Sequence, residues 1–410
     1  RPTGKWLAYG LAALVAVGAF HAQPLLALLG TPFRSRDLAW IACFRLPLEI
    51  VTWLRTLFGE DKLADEEAGR REQKRPEYRE LLAESNTVRF EPRRESCPIC
   101  GGAELKIVLR APDMMQHKPG RFHLERCVGC GHIFQNPRLS LAGLDFYYKD
   151  FYDGLGEEGM ELIFGYSQVS YVARALLVKK HFEPRRWLDV GAGHGHFCCV
   201  ARDHLPETRF DGLDLSESID DALRRRWIEK SYRGLFPELA PSFAGAYDLV
   251  SMHHYLEHTR EPRAELAAAH TALAAGGGVL IEVPDPESLF GKILGRYWIP
   301  WFQPQHQHLL SKKNLERLLG EAGFTVKAWE CAQAHQPVDV SFAVLLALGS
   351  LAPPDAPWQP APTWRSKAWG TVVWSLGTPF LLLAFALDWL GQPLVRAFGM
   401  SNTYRVLAEK

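Results

Sequence analysis

Apolar residues gather towards the two ends of this chain, whereas its middle alternates short apolar runs with amphipathic ones. From Trp6 to Gly30 there is no Asp, Glu, Lys or Arg, and the run reaches the ~20 residues that cross a bilayer. His21, Gln23 and Pro24 interrupt it. A second apolar stretch, Leu38 to Gly59, carries Arg45, Glu49 and Arg55 among Trp40, Trp53 and Phe58. That mixture suits a helix lying in the headgroup region, with packing on the protein's own core as the alternative. Near the other end, Val340–Leu351 is apolar and a Pro-rich loop follows. Thr371–Leu390 then holds Asp388 as its one charge, with Trp374 and Trp389 near its ends where interfacial anchors would sit. Pro379 breaks its middle, so a span, an in-plane helix and a buried core helix are all open readings.

Between these ends, Glu60–Glu95 is densely charged with both signs interleaved, the pattern of a solvated helix or linker. Ser96 to Pro137 is short and punctuated by Gly, Pro and Cys. From Leu141 onward, strand and helix patterns alternate, as in a parallel α/β sheet. The pattern predicts strands at Arg186–Val190, Arg209–Leu213, Tyr247–Met252 and Gly278–Val283. It predicts helices at Met160–Phe182, Ser216–Lys230, Glu261–Ala274 and Lys312–Ala322. The organisation expected is therefore apolar membrane-associating helices over 1–58, a charged linker over 59–95, a Cys-bearing module over 96–140, an α/β domain over 141–340 and an apolar membrane-associating segment over 341–410.

Lys plus Arg and Asp plus Glu both number 47, so the formal net charge is zero and no basic face speaks for a nucleic-acid partner. A secretory leader is disfavoured, because Phe20-His21-Ala22 lacks the small residue expected before a cleavage point. Of eight cysteines, four form two Cys-x-x-Cys pairs. Cys97, Cys100, Cys127 and Cys130, each pair followed by glycine, offer four thiolates to one tetrahedral ion. A fully occupied set of this kind makes zinc structural rather than catalytic. A redox pair would want a βαβ setting that is missing here. Cys43, Cys198, Cys199 and Cys331 read as small buried apolar residues, and the usage fits a reducing compartment.

The strongest chemical signal is the run Leu188-Asp189-Val190-Gly191-Ala192-Gly193-His194-Gly195. A buried strand ends in glycines at alternate positions and a helix begins. Glycines let the backbone turn sharply and approach a ligand, and the new helix offers free N–H groups. The third glycine comes one residue too early for a dinucleotide fingerprint. Asp189 would repel a pyrophosphate but could orient the ammonium of an amino-acid ligand. A second strand ends at Asp214-Leu215, where a carboxylate could bind both hydroxyls of a ribose. Asp211, earlier in that strand, reads as a surface charge.

Through these residues, roughly 141–330 resembles the class I, Rossmann-like S-adenosylmethionine (SAM)-dependent methyltransferases. Asp189, Gly191, Gly193 and Gly195 match that family's first motif and Asp214 its second. Tyr247–Val250 with Tyr255–His258 resembles its fourth strand and loop, and Leu273–Leu280 the turn into its fifth strand. The resemblance implies SAM held by Asp189, the three glycines, Asp214 and Leu215. Tyr232–Phe236 departs from the family in lacking an acidic residue beside the adenine. The Cys-rich module, with Cys130–Arg138 and Tyr147, Tyr148 and Tyr152, resembles an N-terminal zinc ribbon of a subgroup that includes sugar C-methyltransferases, where it helps close the substrate cleft.

His253, His254, Glu257 and His258 follow the fourth strand, at the edge where open α/β sheets bind ligands, and any of them could serve as a base. The alternative is that Glu257-His258 only caps the loop. Tyr297–Phe302, followed by His306 and His308, could wall an acceptor pocket or simply pack the core. The expectation is a methyltransferase at the cytoplasmic face of a membrane, acting on a lipid or lipid-linked acceptor. A soluble nucleotide-sugar C-methyltransferase and a catalytically silent SAM-binding scaffold are the alternatives.

Overall fold

The computed structural model describes residues 62–84, 86–150, 168–331 and 337–410. The expected apolar helices over 1–58, Cys43, Tyr152 and the first part of the helix expected from Met160 lie outside the described residues. The described residues divide into two compact units, one of Lys62–Leu81 with Asp355–Val372, the other of Leu82–Pro354 with Val373–Lys410.

The first unit contains most of helix α1 (Lys62–Ala83), the charged stretch expected to be a solvated helix or linker. Arg75 is its buried exception. Its guanidinium binds Glu72 and Asp355 at 2.6 Å each, and Tyr78 packs edge-on against Trp358.

The second unit is built on a seven-stranded sheet. Its parallel strands are β4 (Arg186–Val190), β5 (Arg209–Asp214), β6 (Lys230–Arg233), β7 (Tyr247–His253) and β8 (Leu273–Pro284). The sheet runs β10-β11-β8-β7-β4-β5-β6, where β10 is Thr325–Glu330 and β11 is Thr403–Glu409. Because β4 lies between β5 and β7, the order reverses there, and the crevice at the carboxyl ends of β4 and β7 is the expected ligand site. Both faces of the sheet are covered, so strands read as near-continuous apolar runs. Leu188, Val190, Val250, Ile281 and Val406 fill one face; Trp187, Phe210, Leu280 and Leu407 pack with Phe197 and Ala201 on the other.

Four expectations are corrected or narrowed. The helix expected over Ser216–Lys230 is only α4 (Ile219–Arg224), because the chain turns at Arg226, in left-handed conformation, to deliver Lys230–Arg233 as a strand beside β5. The helix expected from Met160 is described over Gln168–Lys179. Asp211 is not a surface charge: it is buried, accepts a 2.7 Å hydrogen bond from the Tyr247 hydroxyl and pairs with Arg186 at 3.0 Å. The segment after residue 340 is not wholly an apolar appendage, since Thr403–Glu409 returns to pair antiparallel with β8 in the middle of the sheet.

The Cys-bearing module is a small antiparallel sheet, β1 (Leu105–Ala111), β2 (Phe122–Cys127) and β3 (Ile133–Gln135). It is completed by β9 (His308–Leu309), donated from beyond the aromatic loop. The module and the catalytic sheet are thus stitched together by main-chain pairing.

Residues 331–402 are an insertion between β10 and β11. Its described part holds α5 (Asp339–Leu351) and α6 (Trp364–Ala397), which continues through Pro379 and Pro393. Val373 packs with Leu348 and Ala352, and Gly377 admits the Leu348 side chain where a Cβ would meet it at 2.3 Å. A neighbouring face of α6 carries Leu376, Phe380, Leu383, Leu387, Leu390 and Leu394, all exposed and spaced four and three residues apart.

Candidate functional site

Three left-handed glycines shape the turn out of β4: Gly191, Gly193 and Gly195, at φ 75°, 52° and 74°. Their roles differ. A Cβ on Gly191 would lie 2.7 Å from the Tyr255 ring, and one on Gly195 would lie 2.6 Å from Ala222. A Cβ on Gly193 would meet nothing within 4 Å. The outer two are therefore required by packing, while the middle one faces open space. Asp214, at the end of β5, holds this loop: its carboxylate accepts from Gly193 N at 2.9 Å and Ser216 N at 2.8 Å. Burial raises the Asp214 pKa, and these backbone donors oppose that shift. Leu215 beside it is exposed.

Asp189 faces inward. One carboxylate oxygen accepts from Ser251 at 2.6 Å and lies 3.2 Å from His253 Nδ1; the other approaches Cys198 at 3.8 Å. Ser251 in turn accepts from the Trp187 indole at 2.7 Å. The carboxylate thus locks β4 to β7 under the glycine loop.

The four candidate bases occupy distinct environments. His253 is buried with its ring 4.5 Å from Phe197, and burial, helped by the Arg174 cation, pulls its pKa down to about 4. His254 stands between Glu257 at 3.1 Å and the fully buried Glu282 at 3.2 Å. Burial opposes its charge, but the two carboxylates outweigh burial and raise its pKa to about 9. It is a cation at neutral pH and no proton acceptor. Glu282 is also bound by Arg174 and Arg405, a buried charge network on which the whole corner rests.

Glu257 is 1% exposed; burial favours its neutral form, but His254 and the other imidazoles hold its pKa below the usual value. Its Oε2 is buried without a hydrogen-bond partner. His258 lies 2.8 Å from the Tyr148 hydroxyl through Nδ1 and packs perpendicular to His306, with centroids 4.6 Å apart. Burial lowers the pKa of His258, and that of His306 to about 3. Among the four, Glu257 keeps an unpartnered carboxylate oxygen.

The aromatic loop is part wall and part core. Trp298 is buried and donates to Asp339 at 2.8 Å, whereas Trp301 and Phe302 line a shallow open cleft together with Arg296, Met114 and Met115.

The four thiols converge. Cys97 and Cys130 Sγ lie 3.6 Å apart, Cys100 and Cys127 Sγ 3.5 Å, and all four fall within 4.8 Å of one another. Backbone N–H groups of Ile99 and Gly102 donate to Cys97 and Cys100, both at 3.4 Å, as thiolates require, and Gly101 and Gly131 take the left-handed turn after each pair. The donor set fits a tetrahedral ion.

Motif spacing had flagged the glycines, Asp214 and the cysteines. The residues it missed are Glu282, Arg174 and Arg405, an acid in an apolar strand and two arginines remote in sequence. The glutamate within Val279–Val283 was the one available signal, since a charge there demands partners.

Residues 168–328 match the model of a family described as a methyltransferase domain. A ubiquinone biosynthesis O-methyltransferase of Bordetella avium (strain 197N) is 28% identical over 152 residues, covering 34% of this chain and 61% of that protein. The chain thus spans less than two thirds of the curated relative it matches. Similar solved structures include a SAM-dependent methyltransferase of Thermotoga maritima (16% identity, 65% of this chain and 98% of that one, TM-score 0.39). Another is a SAM-dependent methyltransferase of Archaeoglobus fulgidus (18%, 60% and 99%, TM-score 0.37). The chain carries a class I SAM-dependent methyltransferase domain.

Proposed function

We propose that this chain is a methyltransferase that acts on a lipid or lipid-linked acceptor while attached to the cytoplasmic face of a membrane through α6, without crossing it. The observation that carries the reading is the path of residues 331–402. They leave the sheet at the carboxyl end of β10 and return beside Pro284 at the carboxyl end of β8, so both ends lie on one side. Among the described residues of the insertion, only α6 has the length to span; at about 1.5 Å per residue, the 13-residue α5 falls short of the roughly 30 Å needed. One span cannot return the chain to its starting side. The exposed apolar stripe of α6 instead suits a helix seated in one leaflet, next to the edge where the donor and acceptor would meet. The name of the Bordetella relative agrees with a lipid-like acceptor.

Bound SAM supplies an electrophilic methyl group on a sulfonium. Gly193 gives its backbone room, Asp214 and Leu215 would meet the nucleoside, and Asp189 holds the strand ends in register. The cleft of Trp301, Phe302 and Met115 takes the acceptor, and the ring of His258 lies beside Phe302 at its edge. Cys97, Cys100, Cys127 and Cys130 would hold a structural zinc that braces the small sheet whose β1–β2 connection carries Met114 and Met115.

The test is transfer of label from methyl-tritiated SAM. Incubated with bacterial membranes, the full chain should place label in the solvent-extractable lipid fraction. Label appearing only in water-soluble nucleotide sugars, independent of membranes, would replace this reading with that of a soluble sugar methyltransferase.

A further inference from the structure

Glu257, His258 and His306 each bring one ligand-type atom to within 4.8 Å of the others. We infer that these three side chains form a second metal site, distinct from the four cysteines, for one divalent cation of the zinc class.

Two features of the cluster point to a cation. The first is Glu257 Oε2. Its other oxygen is engaged by His254 at 3.1 Å, yet Oε2 is buried with no partner. A buried carboxylate oxygen without a donor is costly, and a bound cation removes that cost. The second is the tautomer of His306. Its Nδ1 lies 2.8 Å from the Pro300 carbonyl oxygen, which can only accept, so Nδ1 carries the proton and Nε2 presents a lone pair 4.0 Å from Glu257 Oε1, the oxygen that also meets His254. Metal-bound histidines are held in this way, the second ring nitrogen donating to a carbonyl or carboxylate.

Two imidazoles and one carboxylate are a ligand set for zinc or a similar first-row ion, with coordination positions left for water or acceptor. Tetrahedral bonds of about 2.1 Å place ligand atoms roughly 3.4 Å apart, so the cluster must tighten by about an ångström. The ring of His258 gives up its contact with the Gln305 backbone in doing so. The elements that converge are the turn after β7 and the segment leading into β9, so the ion would tie the aromatic loop to the floor of the cleft. Binding of the ion rests on these side chains alone; its place beside the acceptor rests on the methyltransferase reading.

The experiment is metal analysis of the full chain after equilibration with zinc and removal of free ion. The expected result is two zinc ions per chain, falling to one in both His306→Ala and Glu257→Gln. Cobalt substitution separates the sites, since the cysteine set gives intense thiolate charge-transfer bands and the second site only weak visible bands. Those weak bands should vanish in the two variants while the thiolate bands persist. Circular dichroism and SAM titration of each variant report whether its fold survives. One zinc per chain in the wild type, or two in both variants, overturns the inference. Two ions without any SAM binding would leave the metal site standing and overturn the enzymatic reading instead.

Discussion

The carboxylate of Asp388 accepts a 2.8 Å hydrogen bond from the backbone N–H of Ser341, and a second, at 3.1 Å, from Val340. The single charge in the apolar stretch thus caps the first turn of α5 rather than facing the surroundings. Replacing Asp388 by Ala should lower stability by about 1–2 kcal/mol, and Asn should recover part of it. Urea unfolding followed by circular dichroism measures both.

On the exposed stripe of α6, replacing Leu376, Phe380, Leu383 and Leu387 together by Ser should leave the catalytic unit folded, because all four are exposed. It should cut flotation with anionic vesicles at least tenfold, since each large apolar side chain contributes roughly 1.5–3 kcal/mol when buried. Unchanged flotation would remove α6 from the membrane. If sedimentation instead shows a dimer lost in the variant, the stripe pairs with a second copy.

The glycine loop makes a differential prediction. Gly191→Ala and Gly195→Ala should each cost about 1–3 kcal/mol, because left-handed strain adds to collision with Tyr255 or Ala222. Gly193→Ala carries the strain but no collision, so the fold should suffer less while SAM binding weakens most. Thermal unfolding paired with calorimetric SAM titration separates the two effects.

Glu265 sets a pH dependence. Burial raises its pKa to about 7, against the opposing hydrogen bond from the Tyr255 hydroxyl. Its folded-state pKa lies above the unfolded one, so its contribution is complete below about pH 4.5 and is lost as pH rises to about 7. The loss is on the order of 1–3 kcal/mol. Glu265→Gln should abolish that slope in urea midpoints measured from pH 4.5 to 8, and should be the more stable protein at pH 8.

What could be read from the chain was what is local. The glycine run, Asp214 and the two cysteine pairs announce their chemistry within a few residues, and the structure gathers each set. What could not be read depends on distant partners. Asp211 looks like a surface charge until Tyr247 and Arg186 arrive from elsewhere in the sequence. Thr403–Glu409 reads as the end of the apolar segment over 341–410; Arg405 within it is buried because Glu282, Glu330 and Ser170 converge on it. The helix expected after Ser216 ended early because sheet pairing of Lys230–Arg233 overrode local helical propensity. Among the candidate bases, adjacency in sequence hid a division that burial makes: His253 kept neutral, His254 kept charged.

Methyl transfer requires that the loop of Gly193 and Asp214 hold SAM. Calorimetric titration of SAM into the full chain should give one site per chain, displaced by S-adenosylhomocysteine and weakened at least tenfold by Asp214→Ala. Absence of binding, or binding untouched by substitution at both Asp214 and Gly193, would contradict it.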